Sequence, residues 1–344
     1  MKWLLLICLF FLKTACFAQK HQASFSAIDW RVQSIEPTTP ESLAQKLTSP
    51  YSSDLEKTRA IFSWISQHIS YNTGIYSSRR YSSIKYIPSS ADTASIWKSG
   101  MEMTAITVLQ RRVAVCEGYA KLFKVLCDYA GLRSEVIYGY AKCYLEKTDK
   151  FRTNHSWNAV MIDSTWRLLD VTWASGYING ANEFVQRTDE SYFLTPPAQF
   201  ILDHYPEDLR WTLLDHVPAL REFLFSPFKY KSFIKYSIFS LSPPNGTIES
   251  SIGDTVRISF YVKDAEKNKK ICSDPFFDST QLFSAASAFL SPDSSATKVE
   301  YSYVVKDDSV EWLHLLYNDD LVLRYRLKVI REKKNPTSLV VAVQ

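Results

Sequence analysis

Val115-Cys116-Glu117-Gly118-Tyr119-Ala120 opens the stretch from which the rest of the chain is read. From Cys116 onward Tyr119, Phe123, Leu126 and Ala130 recur at helical spacing, and Cys116, Ala120, Phe123 and Cys127 mark an adjoining stripe. This spacing predicts a helix buried around most of its circumference. Gly131 follows, where glycine commonly ends a helix. A cysteine at the start of such a helix sits where unsatisfied N–H groups and the helix dipole favour a thiolate. An isolated cysteine is usually an ordinary buried thiol, so the rest of the chain has to decide.

Two further segments bear on it. Asn154-His155-Ser156-Trp157-Asn158 starts an extended run to Ile162, and Trp166 to Thr172 reads as another, joined through Asp163-Ser164-Thr165. Such a hairpin brings His155 and Asp170 side by side on neighbouring strands. Val136, Tyr138 and Tyr140 alternate as a further strand. In acyl transfer a thiolate attacks a carbonyl, an imidazole takes and returns the proton, and a third group fixes the ring's tautomer. Cys116, His155 and Asp170 have the identities for these three catalytic roles. Asn154-His155-Ser156 is also a formal glycosylation sequon, but modification beside a catalytic base is not expected.

Val-Cys-Glu-Gly-Tyr-Ala, His-Ser-Trp-Asn-Ala-Val and Trp-Arg-Leu-Leu-Asp-Val-Thr-Trp resemble, in that order, three signature segments of the transglutaminase-like superfamily, whose fold is related to the papain-like cysteine proteases. The resemblance runs from about Leu55 to Leu214. Within it, Tyr192-Phe193-Leu194, Pro197, His204-Tyr205-Pro206-Glu207-Asp208 and Trp211 look most like the kyphoscoliosis-peptidase branch. The resemblance implies a nucleophile at Cys116, a general base at His155, an orienting carboxylate at Asp170, a protein or peptide substrate, and hydrolysis over cross-linking. Ala114 stands where the family often has glycine. Gln110 lies six residues ahead of the cysteine, as the oxyanion glutamine does in papain-like enzymes; transglutaminase-like domains do not reliably use that position, and an exposed loop glutamine is the plainer reading. The Cys116 N–H is one natural oxyanion donor.

Other residues have simpler readings. Trp157 and Trp173 are expected to pack in the core more than to wall a groove. Glu117 and Tyr119 follow the nucleophile, where a side chain could line a cleft, though Glu117 suits a first-turn carboxylate better. His68 and His204 read as structural, and His21, His216 and His314 carry no motif.

The 344 residues, 46% hydrophobic and 22% charged with 20 Tyr, 20 Phe and 9 Trp, suit two globular domains. Lys2, the run Leu4 to Leu12 and Cys16-Phe17-Ala18 read as a signal peptide over 1–18, hence an exported protein; the run is too short to span a bilayer. Lys13 argues against a lipid anchor on Cys16. Loss of Lys2 and Lys13 takes the formal charge of +4 to +2, which gives no ground for nucleic acid or anionic lipid as partner. Lys267-Asn268-Lys269-Lys270 and Arg331-Glu332-Lys333-Lys334 read as solvated loop and tail. Cys116, Cys127, Cys143 and Cys272 are too few and too irregular for a disulfide framework, and without a Cys-x-x-Cys pair or a His-rich cluster neither a metal nor another cofactor is expected.

Residues 19 to 37 read as a lead-in without periodicity. Thr39-Pro40-Glu41 and Ser53-Asp54 read as helix starts, with Ile61, Phe62, Ile65 and Ile69 on one face of the second helix. Tyr76 to Ser99 suggests a surface excursion, with Ser77-Ser78-Arg79-Arg80 as an exposed basic turn. Residues 190 to 216 read as a short helix and loops. Beyond Phe228 short extended runs take over, at Phe233 to Phe239, Ile248 to Val262, Val299 to Val304, Trp312 to Tyr317 and Leu321 to Val329, the last two joined by Asn318-Asp319-Asp320. The expectation is an α+β chain: a papain-like transglutaminase core over 19–225, with helices on an antiparallel sheet, then a small β-sandwich over 226–344. Its function would be that of an exported cysteine acyl-transfer enzyme. The competing expectation is an interaction module that keeps the fold without the chemistry, and a peptidoglycan peptide is a third possible target that nothing in the sequence selects.

Overall fold

The structure is a computed structural model that describes residues 25–74, 99–142, 153–263, 280–283, 287–290 and 296–330. The leader over 1–18, His21, nearly all of the 76–99 excursion, Cys143, Cys272, and the basic runs at 267–270 and 331–334 lie outside the described residues. Two compact units are present: Met1–Ala141 with Arg152–Phe200 and Pro206–Asp215, and Lys142–Phe151 with Ile201–Tyr205 and His216–Gln344. Among the described residues no helix is long and apolar enough to cross a membrane.

The first unit mixes helices and antiparallel strands. Helix α1 (25–32) falls in the stretch read as a lead-in without periodicity; Ile28 and Val32, one turn apart, are both buried in the core, and two such anchors are too few to show as a pattern. Helix α2 (Pro40–Thr48) begins as expected: the Ser42 N–H donates to Thr39 Oγ1 at 3.1 Å, and proline takes the first helical position. Helix α3 (Asp54–His68) is capped by Ser53 and buries Ile61, Phe62 and Ile65 completely.

The next elements fix the chain just ahead of Cys116. Strand β1 (Ser70–Tyr71) precedes helix α4 (Gly100–Arg111); Arg112 then turns the chain in the left-handed region at φ 55° into strand β2 (Val113–Ala114). β1 and β2 pair in parallel, and the Asn72 N–H donates to the Ala114 carbonyl at 2.9 Å. Helix α5 (Cys116–Tyr129) starts at once, with Val115 extended at its cap. Gly118 leaves no room for a side chain on α5: a Cβ there would lie 2.8 Å from Ala114 Cβ and 3.1 Å from Val108 Cγ2. Gly118→Ala should therefore cost roughly 1 to 3 kcal/mol through overpacking, read as a lower urea midpoint; unchanged stability would show that this crossing has slack.

α5 buries Tyr119, Ala120, Phe123, Leu126 and Cys127 from the two stripes expected and adds Leu122 and Val125, while Cys116 and Ala130 at its ends are half-buried; Gly131 follows at φ 72°. Strands β3 (Ser134–Ala141), β4 (His155–Ile162) and β5 (Thr165–Leu169) then pair antiparallel, with Gly139 opposite His155 and Asn158 opposite Leu169. Asp163 and Ser164, at φ 48° and 60°, make the tight turn. The expected third strand ends early. β5 stops at Leu169, and Asp170 caps a short helix, α6 (Val171–Ser175), so it is not a strand neighbour of His155. The reason is local: an aspartate that accepts two backbone N–H groups is a better helix cap than ladder residue.

The second unit holds two sheets around one core. One has the order Ile238–Ser242, Thr255–Lys263, Ala296–Val304, Ser287–Leu290; the other has Thr247–Ser250, Asp320–Val329, Trp312–Tyr317, Thr280–Phe283. Val256, Ile258, Phe260, Val299 and Tyr301 from the first meet Leu313, Leu315, Leu323 and Tyr325 from the second, which makes a sandwich. The Tyr301 hydroxyl crosses between the sheets to the Leu316 carbonyl at 2.7 Å. Two expected strands are otherwise. Lys231–Lys235 is a turn of helix before the strand starts at Ile238, and the run from Ile248 to Val262 breaks at residues 251–254 into strands of different sheets. Asn318 and Asp319 turn the chain at φ 50° and 64°, as their chemistry predicted.

Candidate active site

The structure brings Cys116, His155 and Asp170 together in the first unit. Cys116 is half-buried at the first position of α5. There the helix dipole is positive and the N–H groups lack intrahelical acceptors. His155 opens β4 at 8% exposure and Asp170 is fully buried.

Asp170 uses both oxygens. Oδ2 lies 2.7 Å from His155 Nε2, and Oδ1 accepts from the Thr172 and Trp173 N–H groups at 2.8 and 3.2 Å. Its own N–H donates to the Tyr192 carbonyl at 3.0 Å. The carboxylate is thus aimed by the start of α6, and it in turn orients the ring. With Nε2 on the carboxylate, Nδ1 is the nitrogen that can serve the thiol. Trp173 packs over the ring with centroids 5.4 Å apart, and Tyr192 meets Trp173 edge-on at the same separation.

That arrangement sets the electrostatics. Burial pushes the Cys116 thiol up, but the hydrogen bond and charge of His155, aided by the polar groups of Ser156, outweigh it and leave the thiol below its ordinary value. Burial alone would lower His155; the charge and hydrogen bond of Asp170, then Cys116, raise it well above the usual imidazole range. A thiol drawn down beside an imidazole drawn up is a pair disposed to rest as thiolate and imidazolium. Cys127, on the same helix, is the contrast: complete burial pushes its thiol far up.

The other residues singled out in the sequence divide. Trp157 is 1% exposed and packs with Ile137, Ala159, Leu168 and Phe200, whereas Trp173 is half-buried at the His155 ring. Tyr119 is core, with its hydroxyl on the Ile69 carbonyl at 2.6 Å, so it does not line a cleft. Glu117 pairs with Lys121 at 2.6 Å. Gln110 is exposed, on α4 and not on a loop. His68 bonds the Trp64 carbonyl through Nδ1 and stacks on Trp64, and His204, 1% exposed, bonds Asp203. The sequon asparagine is engaged from both ends: Asn154 Oδ1 accepts from the Ala141 N–H at 2.8 Å, and Nδ2 donates back to the Ala141 carbonyl at 3.2 Å.

Two residues near the sulfur are assigned no role by the sequence. Ser156 is one, and Tyr138, opposite it on β3, is the other. Burial pushes the Tyr138 hydroxyl up; Lys121 opposes this, and Glu117 and Cys116 add to it. Period-two alternation marks Tyr138 as strand, but only the register shows which residue it stands beside.

Residues 41–171, a span that includes Cys116, His155 and Asp170, match the family model of the transglutaminase-like superfamily. The chain is 31% identical over 215 residues to kyphoscoliosis peptidase of Mus musculus, a match over 61% of this chain and 30% of that protein. It is 34% identical over 161 residues to hillarin of Drosophila melanogaster, over 42% of this chain and 20% of that one. The matched region thus spans less than a third of these relatives. A solved structure described as a TGase is 20% identical, with a TM-score of 0.29, covering 52% of this chain and 42% of that one.

Proposed function

Since residues 41–171 form a transglutaminase-like domain of the kyphoscoliosis-peptidase-like branch, we propose that the protein is an exported cysteine acyl-transfer enzyme acting on peptide or glutamine amides through Cys116, His155 and Asp170. The observation that carries the reading is the buried relay itself. A carboxylate 2.7 Å from the imidazole, anchored by two backbone N–H groups, serves a ring that draws the thiol down. Export rests on the sequence of the leader alone.

In the proposed reaction the Cys116 thiolate attacks the amide carbon, and a C–S bond forms as the carbonyl electrons move to oxygen. The Cys116 N–H faces that oxyanion from the helix start. When the oxyanion collapses the C–N bond breaks, and imidazolium His155 hands its proton to the departing amine. His155 then removes a proton from water as it attacks the thioester, and the Cys116 thiolate leaves. The peptidase names of the mouse and human relatives favour water over an amine as acceptor.

The test is to incubate the protein with casein, with and without a dansylated primary amine, and to weigh the products against those of Cys116→Ala. New peptide termini made only by the Cys116 protein are the expected result. Dansylated casein without new termini would mean amine transfer, and identical products from the two proteins would overturn the catalytic reading in favour of an interaction module.

A further inference from the structure

We propose that Ser156 is a dedicated donor to the Cys116 sulfur, its hydroxyl and backbone N–H stabilising the thiolate alongside His155. The inference deepens the cysteine acyl-transfer reading and rests on it.

Its basis is the way β4 lies on α5. Asn158 Nδ2 donates to the Ala120 carbonyl at 3.0 Å, which fixes the strand against the helix one turn beyond Cys116. Two residues back along a strand is about 6.8 Å, and four residues back along a helix is about 6 Å. Ser156 is on the same face of β4 as Asn158, so the near match of those steps brings it against Cys116. Both side chains are buried, at 2% and 1% exposure. Ser156 Oγ is wholly enclosed, yet completes no hydrogen bond of regular geometry in the resting site. A hydroxyl enclosed in this way is destabilising unless an acceptor is at hand. The placement of β4 on α5 offers it the Cys116 sulfur, and the lowering of that thiol accords with a donor at Ser156.

The acceptor strength of that sulfur changes during the proposed reaction. A thiolate is a good acceptor; a thiol or a thioester sulfur is a poor one. Ser156 therefore favours the sulfur as resting anion and again as leaving group when the thioester is resolved. It keeps its own proton throughout, so His155 remains the group that moves protons. The other titratable groups around the sulfur are His155 with Asp170 behind it, Tyr138 on β3, and the paired Glu117 and Lys121 on α5.

The test is the pH dependence of iodoacetamide alkylation on the full chain, followed on the Cys116 peptide by mass spectrometry. Wild type should alkylate with a midpoint below the ordinary thiol value of about 8.5. Ser156→Ala should raise that midpoint by about one pH unit, so that alkylation well below it is about tenfold slower. The plateau rate at high pH and the thermal midpoint should not change, which separates loss of a donor from loss of packing. Ser156→Thr, which keeps the hydroxyl, should return the midpoint toward wild type. A Ser156→Ala midpoint equal to a depressed wild-type midpoint would overturn the inference and leave the acyl-transfer reading standing. A wild-type Cys116 that titrates as an ordinary thiol would overturn both.

Discussion

Asp170→Asn should lower kcat/KM by roughly 10³- to 10⁴-fold while leaving the fold intact. Asparagine keeps a side-chain oxygen that can accept from the Thr172 and Trp173 N–H groups, so the cap of α6 survives. What it then presents to His155 is an amide N–H in place of the Oδ2 acceptor at 2.7 Å. Two donors cannot face each other, so Nε2 must give up its proton and Nδ1 must carry it. An Nδ1–H cannot accept the proton of Cys116. Charge adds to the tautomer effect: with the Asp170 carboxylate gone, the burial that lowers His155 is no longer outweighed, and the imidazolium partner of the thiolate is lost. The sign can be checked by titration. The thiolate–imidazolium pair forms as pH rises through the lowered thiol value and is lost as pH rises through the raised imidazole value, so Asp170→Asn should pull the alkaline limb of the rate profile down. Asp170→Ala should lose the cap as well and melt lower than Asp170→Asn, with Cys116→Ala setting the floor of activity. Asp170→Asn within tenfold of wild type would remove Asp170 from the relay.

This pair of effects on one residue shows what the sequence could and could not tell. Cys116, His155 and Asp170 were legible because three segments in order resemble the transglutaminase-like signatures; the helix at Cys116 and the turn at Asp163-Ser164 are the local structure that lets them meet. The manner of their meeting was not. Leu168-Leu169-Asp170-Val171 continues an extended pattern, and nothing in it says that the carboxylate will prefer the N–H groups two and three residues on. A tertiary contact, in contrast, misplaced the aromatic run at 233–239. Lys231–Lys235 takes one helical turn because the Tyr230 N–H is used on the Val322 carbonyl and the Phe233 N–H on Tyr230, a pairing between distant segments. Tyr119 was ambiguous for a different reason: it lies three residues from Cys116, close enough for a cleft reading, and only its hydroxyl on the Ile69 carbonyl places it in the core. Ser156 stands inside a signature segment yet is given no role by it, since a serine after a histidine acquires meaning only when α5 is laid against it.

Arg59→Ala should destabilise the first unit by about 3 kcal/mol or more. A fully aliphatic reading of α3 would leave an arginine at this position on the outside, yet its side chain is 2% exposed. Nε bonds Asp29 Oδ1 at 2.8 Å and Nη2 bonds Glu190 Oε1 at 2.6 Å, each carboxylate being gripped by two guanidinium nitrogens. The rings of Phe25, Phe62 and Phe193 surround it with centroids 5.0, 5.7 and 4.9 Å from Cζ. Truncation removes those ring contacts and leaves two carboxylates facing an apolar hole. Asp29 and Glu190 keep 24% and 58% exposure, so both can partly rehydrate, which holds the cost near the lower end for a broken buried pair. Arg59→Met, which refills the space between the rings, should therefore lose less than Arg59→Ala, and Arg59→Lys should recover only part because one ammonium cannot span both carboxylates. The effect should also reach the site. Glu190 starts the turn that carries Tyr192, and Tyr192 holds the Asp170 N–H with its carbonyl and Trp173 with its ring. In a chain of two units the readout is selective: one unfolding transition should fall by roughly 6 to 12 °C while the sandwich transition stays in place. If both transitions moved together, or neither did, Arg59 would not be the tie that holds α1 and the Tyr192 turn against α3.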